Sequence, residues 1–149
     1  MVTTEQIKGL REETGLSIME CQKALEQAGG DKDKAIALLK EKGAEIAAKK
    51  SNRTLGAGVI VSYIHTGETV GVMIELLCET DFVAKNPEFK LVARDISMHI
   101  AAMNPSDTTE LLGQPFIKDP EHKISDLINN TVQKFGERTE VGRFVRFSI

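Results

Sequence analysis

"LGAGVIVSYIHTGETVGVMIELLC", residues 55–78, decides the fold. Two runs rich in β-branched residues flank His65-Thr66-Gly67-Glu68, and a short glycine-bearing break between such runs marks a β-hairpin. In the second run Val70, Val72, Ile74, Leu76 and Cys78 alternate with their neighbours and so share one face of a half-buried strand. Before this stretch the pattern is helical only. After it, helix and strand signals mix. The chain therefore reads as α+β: a small helical bundle, then an antiparallel three-stranded sheet packed with helices.

The helical part is punctuated by its caps. Thr3 with Gln6, and Ser17 with Glu20, have capping-box spacing, and Ile7, Leu10 and Thr14 follow the first box at helical intervals. Thr14-Gly15 ends the first helix, "AGGD" ends the second, and Asp31 caps a third that runs through Ala35, Ile36, Leu38 and Leu39 to Gly43. "GAEIAAKKSNRT", residues 43–54, reads as a helical extension fading into a linker. Residues 1–54 are thus expected to be a three-helix bundle with its linker, and residues 55–149 the α+β core.

Downstream of the hairpin, Asn86 and Pro87 read as the N-cap and first residue of a helix reaching about Met103. Phe89, Val92, Ala93, Ile96, Ile100 and Met103 form its apolar stripe. "NPSDTTELLGQPF" (104–116) is loop-like, "EHKISDLINNTVQKFG" (121–136) reads as an amphipathic helix, and "EVGRFVRFSI" (140–149) alternates as a last strand. Thr80 to Lys85 belong to neither the strand before them nor the helix after them.

Composition excludes several function classes. Among 149 residues, 19 Lys+Arg stand against 22 Asp+Glu, a net charge of −3, which argues against a general electrostatic grip on nucleic acid or an anionic membrane. "GVMIELLC" is broken by Glu75 and no charged-then-apolar leader opens the sequence, so neither a membrane span nor secretion is expected. Two cysteines, Cys21 and Cys78, read as reduced thiols of a cytoplasmic protein. There is no CxxC, HExxH, GxSxG or phosphate loop, and "GAGV" at 56–59 lies inside the first strand. His65, His99 and His122 lack metal-ligand spacing and read as structural or solvated. Asp31 and Asp33 open like a calcium loop, but Ile36 stands where its glycine is required. Asn129-Asn130-Thr131 matches a glycosylation sequon that has no meaning without a secretory leader. Neither enzyme chemistry, a metal nor a cofactor is expected.

Two apolar residues stand out instead. On the second helix Ile18, Cys21, Leu25 and Ala28 share a face, and Met19 lands nearly opposite, among Lys23 and Glu26. It is either a surface methionine of no consequence or an adaptable partner contact. Phe82, just past the strand, is either a plug folded over the core or an aromatic held out for a partner's pocket. The residues by themselves leave both pairs of readings open.

"LREETGLSIMECQKAL" (10–25) and "CETDFVAKN" (78–86) resemble the two signature stretches of the bacterial and organellar elongation factor Ts family. "GAEIAAKK" (43–50), "MHIAAMNP" (98–105) and "QPFIKD" (114–119) are similar to that family too. The resemblance covers nearly the whole chain. It implies a guanine-nucleotide exchange factor that promotes GDP release from elongation factor Tu during translation elongation. It implies that the bundle, which resembles a ubiquitin-associated domain, touches the GTPase domain of that partner. The core would lay its Asp-Phe loop on the same domain, wedging the phenylalanine between two helices and disturbing the magnesium and phosphate site.

Carried onto this sequence, Phe82 is the wedge, Asp81 its polar neighbour, and Thr80 and Val83 complete the motif. Arg11, Ile18 and Met19 match bundle contacts, Lys50 the second lysine of an Ala-Ala-Lys-Lys contact, and Phe135 and Gly136 in "KFGE" a core contact. The sequence departs from the family at Gln22 (usually lysine), Arg138 (commonly asparagine) and Gly142 (often arginine). It is also shorter between Pro105 and Gln114 and has a single core half. These departures leave open a second reading, a non-exchanging binding or assembly partner of a GTPase. Some short members pair two copies of the single core, and Val145, Phe147 and Ile149 share one face of the last strand. A homodimer joined through the sheets is therefore expected.

Overall fold

The computed structural model describes residues 1–149. Three helices open the chain: α1 (Thr4–Thr14), α2 (Ile18–Gln27) and α3 (Lys32–Lys49). Each starts where its cap chemistry dictates. Thr3 Oγ1 accepts the Gln6 N–H while Gln6 Oε1 accepts the Thr3 N–H, and Ser17 and Glu20 make the same reciprocal pair. Asp31 Oδ1 accepts the Lys34 N–H at 3.1 Å. The helices bury Leu10, Leu16, Cys21, Ala24, Leu25, Ala35 and Leu39 among themselves.

Two expectations about this part need correction. Ile18 is 55% exposed rather than on the buried face, because as the first residue of α2 it precedes the Cys21–Leu25 segment that the other helices cover. The third helix and the helical extension expected after Gly43 are one unbroken helix that runs to Lys49. Gly43 is buried where α3 crosses a later helix, and a Cβ there would lie 3.0 Å from Gln133 Oε1 and 3.5 Å from the Asn129 carbonyl. The glycine is a contact point, not a stop signal.

Strands β1 (Ala57–Ile64) and β2 (Val70–Cys78) form the expected hairpin, closed by the His65 N–H donating to the Val70 carbonyl at 2.9 Å. After β2 come a single helical turn, α4 (Asp81–Ala84), and the long α5 (Pro87–Met103). The remainder is α6 (Thr108–Gly113), β3 (Pro115–Phe116), β4 (Asp119–Lys123), α7 (Ile124–Phe135) and β5 (Glu140–Ser148). The main sheet is antiparallel in the order β1-β2-β5, so the last strand lies at an edge. Its inner face buries Val72, Ile74, Leu76 and Cys78 against Phe89, Ala93, Ile96 and Ile100 of α5. Full burial of one such side chain stabilises by about 1.5–3 kcal/mol.

The expected stripe of α5 holds except at its end. Met103 is 45% exposed, just before Asn104 leaves the helix in the left-handed region at φ +46. Residues 104–116 are not all loop. Asp107 caps α6 by accepting the Glu110 N–H at 2.8 Å, and the buried Leu111 pins that short helix to the core. Nor does α7 begin at Glu121: residues 121–123 belong to β4, where Lys123 pairs with Pro115, and Asp126 accepts the Lys123 N–H at 2.8 Å to start the helix.

The two cores meet along α3 and α7. Asn130 Nδ2 donates to the Thr14 carbonyl at 3.1 Å, and Lys40 Nζ reaches both the Glu121 carbonyl (2.9 Å) and Asp126 (3.5 Å). The seam is polar, so it fixes the bundle's orientation more than it adds apolar burial. No helix is long and apolar enough to cross a membrane.

Candidate functional site

The six residues that fit no periodic pattern fold into a capped turn. Thr80 is extended (φ −128, ψ 154), and its Oγ1 accepts the Val83 N–H at 3.5 Å to open α4. Val83 and Ala84 are buried beneath the turn, whereas Phe82 just before them is 86% exposed. A helical turn cannot bury three consecutive side chains, and here the large one is outside. Phe82 is therefore a projecting ring and not a core plug. Asp81 is exposed beside it. Val83, matched to the motif from sequence, is a foundation of the turn and presents little surface of its own.

The end of α7 braces this turn from the side. Gly136 caps α7 in the left-handed region at φ +72, its N–H bonded to the Val132 carbonyl at 2.8 Å. That bend brings Glu137 against the end of β2. Glu137 Oε1 accepts the N–H groups of Glu79 (3.2 Å) and Thr80 (3.0 Å), and Oε2 accepts the Thr80 hydroxyl at 2.7 Å. In return Glu79 Oε2 accepts the Arg138 N–H at 2.6 Å. Phe135 is half-buried, its ring edge-on to Phe89 with centroids 6.0 Å apart.

The candidate residues thus fall into separate groups. Thr80 to Val83 and Phe135-Gly136 are brought together, with α4 packed on β1, β2 and α5. Arg11, in the last turn of α1, and Ile18 and Met19, in the first turn of α2, are exposed on the bundle; Met19 is 66% exposed, so it does point away from its core. Lys50, half-buried, caps the far end of α3. Glu79 and Glu137 escaped sequence reasoning. Their bonding partners lie 57 to 59 residues away, beyond any local spacing rule.

The cysteines and histidines lie in structural settings. The Cys21 and Cys78 thiols are pushed up by burial, which makes them poor nucleophiles. His99 is buried; its Nδ1 accepts the Ile117 N–H at 3.3 Å, so Nε2 carries the proton that Gln114 Oε1 accepts at 2.9 Å. Burial holds its pKa below the ordinary histidine value. His122 Nδ1 lies 2.7 Å from Asp119, and His65 pairs with the Tyr63 hydroxyl at 2.9 Å. No group of His, Cys, Asp and Glu side chains is arranged to hold a metal ion.

The departing positions are also accounted for locally. Gln22 donates to Glu26 at 2.8 Å on the open face of α2. The Arg138 guanidinium donates to the Arg53 carbonyl (2.5 Å) and to Glu140 (2.7 Å). Gly142 lies against Glu75 at the irregularity between β2 and β5. The Arg143 side chain and N–H bond that carboxylate and lower its pKa to about 2.

Comparison with known proteins covers the whole architecture. A family model described as "Elongation factor TS" matches residues 11–110 and 79–149. The chain is 43% identical to elongation factor Ts of Thermodesulfovibrio yellowstonii, across 99% of this chain and 96% of that protein. It is 39% identical to elongation factor Ts of Carboxydothermus hydrogenoformans, across 100% and 89%, and 38% identical to that of Desulforamulus reducens, across 99% and 89%. These alignments run over 192 to 194 positions, more than the 149 residues here, so the relatives carry residues without a counterpart in this chain.

Proposed function

The chain belongs to the elongation factor Ts family, and from that premise we propose that it is a cytoplasmic guanine-nucleotide exchange factor promoting GDP release from elongation factor Tu during translation elongation. One observation carries the reading: Phe82 is 86% exposed on a turn whose other apolar residues are buried. An aromatic presented in this way suits insertion into a partner's pocket, where buried aromatics dominate interface energy. The turn is short and braced at both ends, so little conformational freedom is lost on binding.

The mechanism is linkage. The factor and GDP each weaken the other's hold on the GTPase by the same coupling free energy. A thousandfold acceleration of release needs a barrier lowered by roughly 4 kcal/mol. A buried Phe82 contributes about 2 kcal/mol or more of this, and supporting contacts supply the rest. In this reading Phe82 wedges between two helices of the GTPase domain with Asp81 as its polar neighbour. Arg11, Ile18, Met19, Lys50 and Gly136 make the supporting contacts. The protein makes and breaks no covalent bond and needs no cofactor of its own.

The outer face of the main sheet supports a homodimer. Ile60, Ile64, Met73, Val145 and Phe147 are exposed there, and Gly71 aligns with both Ile64 and Phe147 while Met73 aligns with Val145. The result is an apolar patch, interrupted by Ser62 and bordered by the Glu75–Arg143 ion pair, of the kind that proteins cover. A second copy, laid sheet to sheet, would cover it and leave both Phe82 rings free for two partner molecules.

Release of a fluorescent GDP from elongation factor Tu tests the proposal. The expected result is acceleration that rises with the concentration of this protein. Binding without acceleration would make it instead a non-exchanging binding partner of the GTPase.

A further inference from the structure

Resting on the exchange reading, we propose that Glu137 is a positioning residue: its carboxylate orients the turn that carries Phe82, and it acts on the partner through that ring. A turn of four residues is far below the length at which a helix holds itself, so α4 owes its shape to its surroundings. The burial of Val83 and Ala84 holds it from below. What fixes its rotation is the cap, and the cap is set by Glu137.

One carboxylate takes three donors here, the N–H groups of Glu79 and Thr80 and the Thr80 hydroxyl. Charge-assisted bonds of this kind are roughly twice as strong as neutral ones. Committing the hydroxyl hydrogen to Glu137 aims the oxygen's lone pairs at the Val83 N–H, the bond that starts the turn. The return bond from the Arg138 N–H to Glu79 makes the brace reciprocal, and the Arg138 guanidinium ties the same corner to the Arg53 carbonyl and to Glu140. Gly136 supplies the left-handed bend that delivers Glu137 to this place.

Without the brace the turn samples other orientations, and apparent affinity falls in proportion to the fraction still competent to bind. A competent fraction of about one in ten would weaken binding about tenfold. Glutamine at 137 keeps one acceptor oxygen for the two backbone N–H groups. Its amide, however, would donate to the Thr80 hydroxyl instead of accepting from it. Glu137→Gln should therefore recover part of what Glu137→Ala loses.

The experiment has two arms. In the isolated protein, amide hydrogen exchange at Glu79, Thr80 and Val83 should quicken in Glu137→Ala, while protection across β2 and α5 is retained. With elongation factor Tu, Glu137→Ala should lower both stimulated GDP release and affinity for the nucleotide-free partner about tenfold, with Glu137→Gln in between. In a Phe82→Ala background, Glu137→Ala should add almost nothing, since the two act through one contact. Unchanged exchange at Glu79 and Thr80 would overturn the brace, and loss of protection throughout the core would reduce Glu137 to a fold determinant. An equal loss in both backgrounds would make it an independent contact. Wild-type protein that leaves GDP release unaltered would overturn the exchange reading and the positioning role together. Accelerating wild type with a fully active Glu137→Ala would overturn the positioning role alone.

Discussion

Phe82 and the outer face of the sheet are both apolar and both exposed, yet they are built in opposite ways. The ring stands alone on a four-residue turn, with buried residues beneath it and a carboxylate from a distant segment bonding its cap. The sheet face is spread over three strands, and its side chains lie outward through simple alternation. A braced, protruding ring fits a pocket on a different protein. A broad and nearly flat surface fits another surface like itself. The difference supports the proposal that the first meets the GTPase and the second a second copy of this chain.

The comparison breaks first at the ring. Phe82→Ala should slow stimulated GDP release by about thirtyfold or more, the equivalent of about 2 kcal/mol, with thermal unfolding unchanged. A melting temperature many degrees lower would mean that the ring supports the fold after all.

Phe147, 73% exposed on the sheet face, is the matching probe of the other region. Phe147→Lys should raise the protein concentration at which dimer gives way to monomer about tenfold above that of wild type, an effect of ~1.4 kcal/mol, read by light scattering on a size-exclusion column. GDP release should change much less than with Phe82→Ala. A dimer that withstands the substitution would remove the last strand from the interface, and a wild type that is monomeric at tens of micromolar would remove the interface itself.

A smaller effect is expected at Gly136, whose left-handed backbone disfavours any residue with a Cβ. Gly136→Ala should cost about 1 kcal/mol of stability, measured by denaturant unfolding. Because Glu137 follows it, exchange should fall as well. Unaltered exchange would separate the helix end from the turn it braces.

Met19→Ala should have the smallest effect. It should weaken partner binding a few-fold at most and alter stability by no more than about 0.5 kcal/mol, as expected of an exposed helical position. Calorimetry of unfolding checks the second figure, since a loss of a few kcal/mol would place Met19 in the core.

Much of this was legible in the sequence because it is encoded locally. The reciprocal caps at Thr3 and Ser17, the hairpin break at 65–68 and the Asn86-Pro87 start of α5 all act over a few residues. The stretches that misled are those where distant contacts override local signals. Gly43 looks like a terminator until α7 is seen against it. Leu111 and Phe116 are buried on segments too short to show a period. The motif around Phe82 named the ring but could not show which way it points. The two apolar residues that follow the ring are buried, and only packing reveals which apolar side chain of the turn is left outside. Glu137 left no trace at all, because a carboxylate after a helix-ending glycine is ordinary until the strand end it meets is known.

The exchange mechanism requires that the Phe82 ring enter the partner. A photo-reactive phenylalanine analogue incorporated at position 82 tests this most directly, by irradiation with nucleotide-free elongation factor Tu and mapping of the cross-link by mass spectrometry. An efficient cross-link is expected, confined to two neighbouring helices of the GTPase domain and suppressed by excess GDP because factor and nucleotide oppose each other. A protein that still binds elongation factor Tu but gives no cross-link from position 82, or one insensitive to GDP, would contradict it.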